Sequence, residues 1–181
     1  MPLLGMIVMW LALGATPAPD FSGQWSIEPD AASAQAAARG GANRGGAGLA
    51  GGRGDMGVGW GSPITITQDA TQLTVSYAFF GRGDLQPPLK FVYALDGSET
   101  RNSMMMGRGI QVQSSRTAWD GERLVITTTH TFADPATGKP ATIDVKQVLA
   151  LESPAMLVVE TTRAGVLGGP TTSVRATYRK N

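Results

Sequence analysis

The sequence predicts an all-β protein in which about eight to ten antiparallel strands form an up-and-down meander closed as a barrel. Three observations support this fold class. Side chains alternate with period two from Ile64 to the C-terminus. Asp-Gly pairs, which suit tight hairpins, occur at Asp96 and Asp120, and no later stretch combines helical periodicity with caps. A two-sheet sandwich is the alternative architecture.

The N-terminal segment, residues 1–19, is predicted to be an export signal or a retained membrane-surface anchor. It carries an uncharged apolar run that is too short to cross a hydrocarbon core of roughly 30 Å as a helix. Small residues and prolines follow, but the positively charged leader of a signal peptide is absent, so cleavage is left open. Leu4, Ile7 and Trp10 are its candidate contacts with a partner or a membrane. Residues 20–181 are predicted to form one exported, periplasmic domain.

A glycine-rich insertion is expected at residues 39–61, where 11 of 23 residues are glycine. Ordering such a backbone costs much conformational entropy, which predicts a long loop. Alternatively, the backbone presses against another protein, with Met56, Val58 and Trp60 as apolar contacts. Its arginines lack the interleaved aromatic residues of RNA-binding segments, and 15 basic residues nearly balance 14 acidic ones. Nucleic acid is therefore not an expected partner.

The alternation predicts individual strands and the face on which each side chain lies. It places Tyr77, Tyr93, His130 and Gln147 among apolar residues of their strands. The predicted strands lie within residues 63–69, 72–80, 88–97, 122–132, 143–153, 155–165 and 172–181.

The run of Met104, Met105 and Met106 breaks the alternation and cannot place all three side chains on one sheet face. It is predicted to be a loop folded over the barrel rim. A patch that faces a partner or lipid is the alternative, because flexible thioethers suit irregular contacts.

The stretch from Phe21 to Trp25 carries a Gly-x-Trp element, with glycine at position 23. It resembles the first strand of lipocalins and their calycin relatives. That resemblance implies that the tryptophan closes the base of the barrel and that an arginine of the last strand packs across its ring. Arg175 and Arg179 are the candidates for this role. An indole supplies a large apolar area, and a guanidinium over its face adds about 0.5–2 kcal/mol.

The sequence is also similar to a looser group of exported bacterial proteins that begin FSGxW and carry a WDG hairpin, here Trp119, Asp120 and Gly121. Most members of that group have no assigned activity. The lipocalin resemblance implies a carrier of a small apolar ligand. This chain differs from ordinary lipocalins in its glycine-rich insertion, its lack of a disulfide and its lack of a clear C-terminal helix.

The sequence favours a protein without catalytic activity, metal or cofactor. His130 is the only histidine and there is no cysteine, which excludes multi-histidine and cysteine metal sites. No Gly-x-Ser-x-Gly nucleophile motif is present. An esterase-like or isomerase enzyme that uses His130 is the alternative. If the barrel holds a ligand, Tyr77, Tyr93, His130 and Gln147 are its expected polar contacts; otherwise they are satisfied core groups.

The function expected from the sequence is that of an accessory or scaffold subunit on the periplasmic side of an integral membrane protein complex. A bacterial photosynthetic reaction-centre and antenna complex is one example of such a host. The N-terminal segment, the glycine-rich insertion and the methionine run would form the docking surface, with the membrane surface as a further expected contact, and no cofactor is expected. A lipocalin-like carrier of a small apolar ligand is the alternative.

Overall fold

The structure, a computed structural model, describes residues 18–28, 63–77, 89–106, 109–133, 137–164 and 169–181. These residues form ten β-strands and no helix, so they contain no helix long and apolar enough to cross a membrane. The strands are β1 (Gly23–Glu28), β2 (Ile64–Gln68), β3 (Gln72–Tyr77), β4 (Leu89–Ala94), β5 (Thr100–Met106), β6 (Gly109–Asp120), β7 (Arg123–Ala133), β8 (Pro140–Ser153), β9 (Met156–Arg163) and β10 (Thr172–Lys180).

The ten strands form one antiparallel sheet that is nearly closed into a barrel. Its order follows the chain from β5 to β10 and continues from β1 to β4. The first and last strands are therefore neighbours, with Trp25 opposite Lys180 and Glu28 opposite Thr177. The predicted up-and-down barrel is confirmed, and the sandwich is not observed.

The two ends of the sheet, β4 and β5, meet at a border that we call the seam. No backbone ladder joins these two described strands. Instead, the Asn102 side chain bonds the main chain of β4: its Oδ1 accepts from the Val92 N–H at 2.8 Å, and its Nδ2 donates to the Val92 carbonyl at 3.0 Å. The Thr117 hydroxyl on β6 donates to the carbonyl of Ala94. Side chains therefore complete the ring here.

The connections differ between the two ends of the barrel. At one end, which we call the base, short connections at residues 69–71, 95–99, 121–122 and 154–155 join neighbouring strands. The connections at the opposite end, the loop end, include most of the residues outside the described ranges. The predicted glycine-rich insertion and the N-terminal segment 1–17 lie outside the described residues.

Turn chemistry explains the short connections at the base. Gly97 and Gly121 adopt φ values of 82° and 62°, the left-handed conformation that the Asp-Gly pairs predicted. Asp69 shapes the β2–β3 turn, because its Oδ1 accepts from the backbone N–H groups of Thr71 at 2.7 Å and Gln72 at 2.9 Å. Tight turns of this kind fix which residues face each other in the following hairpin.

Trp25 lies in the apolar core near the base and is only 1% exposed. Its Nε1 donates to the carbonyl of Phe21 at 3.0 Å. The Phe21 ring stacks on Trp119, with centroids 6.2 Å apart. The predicted burial of Trp25 is thus observed.

The cation over the Trp25 ring is Lys180, whose Nζ lies 5.4 Å from the ring centroid. The expectation that Arg175 or Arg179 fills this place was wrong. Lys180 is the residue directly opposite Trp25 across the β1–β10 ladder. The two arginines have the other parity on β10, and they form exposed ion pairs with Glu152 and Glu28.

The methionine run is part of a strand, which corrects the loop that the sequence predicted. The backbone of Met104, Met105 and Met106 continues β5 and pairs with residues 109–111 of β6. Backbone ladder bonds do not depend on apolar alternation, so the hairpin extends through the irregular sequence.

The pairing of Lys180 with Trp25 can be measured with a double-mutant cycle. We expect Lys180→Met to reduce the free energy of unfolding by about 0.5–1 kcal/mol in the native background and to have little effect when Trp25 is replaced by leucine. Arg179→Met serves as the control, because its effect should be the same in both backgrounds. Urea unfolding of the four variants gives the coupling energy, and a zero value would contradict the proposed contact.

Candidate functional site

A group of polar side chains on β5–β8 is buried inside the barrel, and we call it the polar strip. All of its members are at most 6% exposed. They occupy the inward positions that apolar residues fill elsewhere. The members are Asn102, Gln113, Ser115, Thr117, Thr128, His130 and Gln147.

Strand register makes the strip continuous from one strand to the next. Asn102 on β5 lies opposite Gln113 on β6, and Ser115 lies opposite Thr128 on β7. The hydroxyl oxygens of Ser115 and Thr128 are 2.9 Å apart and share a hydrogen bond. The strip is therefore partly satisfied by its own members.

His130 and Gln147 differ from the rest of the strip. Both are completely buried, yet neither imidazole nitrogen and neither amide atom has a hydrogen-bond partner among the described residues. Gln147 lies opposite Ile126, four residues before His130, which places the two side chains about 13 Å apart along the strands. An unpaired buried polar group costs about 1–3 kcal/mol, so this part of the core is unusually unfavourable.

The wall across the barrel is apolar. The ring order places β2 and β3 opposite β7 and β8. Inward residues of this wall are almost completely buried, and the Tyr77 and Phe91 rings meet edge to face with centroids 5.5 Å apart. The wall consists of Trp25, Ile64, Ile66, Leu73, Val75, Tyr77, Phe91 and Tyr93.

The four ligand-contact residues predicted from the sequence are all buried, but they form two groups. His130 and Gln147 belong to the polar strip, whereas Tyr77 and Tyr93 belong to the apolar wall. Burial raises the pKa of Tyr93 far above its usual value, so its phenol stays protonated. The interior therefore has an apolar side that includes four aromatic residues, and a side on which polar residues alternate with apolar ones such as Ile126 and Val145.

The surroundings of His130 favour its neutral form. Burial lowers its pKa from the usual 6.5, and the positive charge of Arg163 lowers it further; Asp144 acts in the opposite direction. Asp144 itself is exposed and accepts from the Thr129 hydroxyl at 2.7 Å. A neutral imidazole offers one donor and one acceptor.

The polar strip presents uncharged hydrogen-bond donors and acceptors. The described buried residues include no carboxylate, and the described part of the chain holds no group of three potential metal-ligating side chains. The Ser115 hydroxyl is bonded to Thr128 rather than to His130, so it lacks the adjacent base that activates a serine nucleophile.

A shallow groove of about 190 Å³ lies on the outside of β7–β10. Its lining combines three apolar side chains with four charged ones, and the latter include the ion pair between Arg175 and Glu152. Its residues have the outward parity, so the groove does not reach the polar strip. They are Arg123, Val148, Ala150, Glu152, Val158, Glu160 and Arg175.

The predicted docking residues are not tested. Leu4, Ile7, Trp10, Met56, Val58 and Trp60 lie outside the described residues. For Met104, Met105 and Met106 the structure describes the backbone alone. Their role in contacting a partner or membrane stays a prediction.

Sequence reasoning missed the part of the strip on β5 and β6, because it searched for apolar inward residues. A signal was present. Trp119 precedes the Asp-Gly hairpin, and counting back in steps of two leads through Thr117, Ser115 and Gln113. A period-two run of polar residues beside a hairpin indicates a strand whose inner face is polar.

Burial of neutral His130 should make stability depend on pH. Its pKa is lower in the folded protein than in the unfolded chain, so the unfolded chain binds a proton first as the pH falls. We expect the free energy of unfolding to be highest above the unfolded-state pKa of about 6.5 and to decrease between about pH 7 and pH 5. Urea unfolding at several pH values measures this decrease.

The control for this measurement is His130→Gln, which keeps a polar side chain but cannot titrate. Its unfolding free energy should vary less over the same range. Carboxylates with lowered pKa values respond at lower pH, because their unperturbed values are 3.8 for aspartate and 4.5 for glutamate. Equal pH dependence in both proteins would assign the effect to other groups.

Comparisons with known proteins do not assign a function, so the functional argument rests on the site. No protein-family model matches the chain, and no curated protein shows significant sequence similarity to it. The all-β barrel agrees with the fold class that the sequence predicted, whereas membership of the lipocalin and calycin group stays a prediction.

Proposed function

We propose that this protein is a non-catalytic barrel that binds a small, uncharged, mainly apolar molecule in its interior. The observation that supports the proposal is the pair of completely buried side chains, His130 and Gln147, without hydrogen-bond partners among the described residues. Neither side chain borders a water-sized space in the closed barrel, so a molecule that enters as neighbouring side chains move apart would supply those partners. Buried polar groups are otherwise almost always paired.

A purely structural role for these residues is harder to explain. Two unpaired groups at about 1–3 kcal/mol each are a large fraction of a typical stability of about 5–15 kcal/mol. Leucine at position 147 would fill similar space without this cost. Residues that oppose stability in this way are typical of functional sites.

The chemistry of the two side chains favours an uncharged ligand. The carboxamide of Gln147 and the neutral imidazole of His130 each offer a donor and an acceptor. A ligand with hydroxyl, carbonyl or amide groups matches both. Transfer of a bare charge into such an interior costs much more than transfer of a hydrogen-bonding group. The apolar wall across the barrel suits the remainder of such a molecule.

The role of an accessory subunit on a periplasmic membrane complex stays a separate prediction. It depends on segments outside the described residues. Purification from the source tests this role. If the protein docks on a complex, detergent-solubilised source membranes would yield it together with that large complex. Recovery as a free soluble monomer would contradict docking.

Native mass spectrometry of the protein purified from its source tests the binding proposal. We expect a mass above that of the polypeptide, and we expect denaturation to release an uncharged organic molecule. A carboxylic acid in its place would retain binding but contradict the uncharged class. Protein that carries no molecule, even after incubation with a lipid extract of the source, would overturn the proposed function.

Gln147→Leu separates stability from binding. Because the substitution removes an unpaired buried amide, we expect the ligand-free protein to become more stable by about 1–3 kcal/mol and to retain less of the released molecule. Thr128→Val is the matched control: it breaks the hydrogen bond to Ser115 and should destabilise by about 1 kcal/mol. Urea unfolding and native mass spectrometry give the two readouts. A less stable Gln147→Leu protein would indicate that Gln147 is an ordinary satisfied core residue.

A further inference from the structure

The barrel interior is shut where the polar strip lies. His130 and Gln147 have no exposed surface, and the base is closed by tight turns and by the core around Trp25. Any molecule that reaches the strip must therefore pass through a wall or an end that opens. The hydrogen bonds between neighbouring strands around the barrel indicate which border separates at the lowest cost in free energy.

The seam between β4 and β5 differs from every other border between neighbouring described strands. The other nine borders are backbone ladders, from three paired positions between β1 and β2 to ten between β7 and β8. The seam is instead held by the side chains of Asn102 and Thr117. Borders with few hydrogen bonds open locally more often than borders with many.

We propose that the seam is the route by which the barrel interior opens, and that Asn102 is the residue that controls it. The carboxamide of Asn102 imitates a backbone peptide group, because it both accepts from and donates to Val92. It thus satisfies one residue of the exposed edge of β4 without a full ladder. Breaking these few side-chain bonds frees the edge.

Both sides of the interior meet at the seam. Asn102 belongs to the polar strip and lies opposite Gln113. Phe91 and Tyr93, on either side of Val92, belong to the apolar wall. Separation of β4 from β5 would therefore expose the strip along one side and the aromatic residues along the other.

Hydrogen exchange tests the opening on the protein alone, independently of any ligand. The Leu95 N–H donates to the Thr71 carbonyl at 2.8 Å, so odd-numbered amides of β4 face β3 and even-numbered ones face the seam. We expect Asn102→Ala to speed exchange at the Val92 amide by about tenfold or more, since its acceptor is lost. Exchange at Phe91 and Tyr93 should change much less.

Two further variants make this measurement specific. Asn102→Asp keeps an acceptor for the Val92 N–H but loses the donor to its carbonyl, so its effect should be intermediate. Thr128→Val perturbs the strip away from the seam and should leave the ratio of Val92 to Phe91 exchange unchanged. A uniform rise at all β4 amides in Asn102→Ala would indicate global destabilisation and would overturn the inference.

Cross-linking tests the route, which rests on the proposed function. The chain has no cysteine, so Val92→Cys with Ser103→Cys allows a short bismaleimide to bridge the outer faces of β4 and β5. The control pair is Thr65→Cys with Ser76→Cys, which are partners in the β2–β3 ladder. The probe is Nile red, an uncharged apolar dye, with uptake followed by stopped-flow fluorescence.

We expect the bridge across the seam to slow dye uptake at least tenfold and the control bridge to leave it unchanged. Equal uptake with both bridges would show that molecules enter elsewhere, which overturns the route while the proposed binding stands. If the unbridged protein takes up no dye and carries no natural ligand, the binding function fails. The exchange experiment then still decides whether the seam opens.

Discussion

The ladder between β1 and β10 is the interaction on which the rest of the structure depends. It joins the first described strand to the last, so that a linear meander acquires an inside and an outside. Each strand alternates its side chains between the two surfaces. Because the barrel is closed, all inward side chains lie in one enclosed space. Trp25 and Lys180 lie at this junction, where the indole fills the core and the ammonium lies over its ring. Without the junction, the polar strip would be an ordinary solvated sheet face rather than a buried one.

Enclosure gives the interior its chemical character. Threonine, serine, glutamine and histidine on an open sheet would bond to water at little cost, but inside the barrel they must bond to each other or to something brought in. The hydroxyls of Ser115 and Thr128 satisfy each other through their shared hydrogen bond. The side chain of Asn102 is satisfied by its hydrogen bonds to the main chain of β4. His130 and Gln147 have no hydrogen-bond partner among the described residues. This difference separates the structural members of the strip from the two that we assign to binding.

Much of the fold could be predicted from the sequence, and the failures share one cause. β3, β7 and β8 have apolar inward positions, such as Val75, Ile126 and Val145, so their alternation was visible. β5 and β6 were not assigned as strands, because their inward positions are polar and the methionine run hides the rest. The seam could not be foreseen, since nothing in the sequence distinguishes an asparagine that bonds a neighbouring strand from one in a loop. The cation over Trp25 depended on register: Lys180 rather than Arg179 lies opposite the indole, and a shift of one residue reverses that choice.

The β1–β10 ladder also constrains how the chain can fold. The hairpins from β5 to β10 join strands that are close in sequence, whereas the Ser26 hydroxyl finds its acceptor, the Asn181 side chain, 155 residues away. Closing so long a loop has a large entropic cost before its contacts form, and non-local β pairing is slow. Until β10 pairs with β1, each of these two strands is an unpaired edge. During that interval the protein is most prone to pair with other chains, and a chaperone that covers β1 or β10 would act at the vulnerable step.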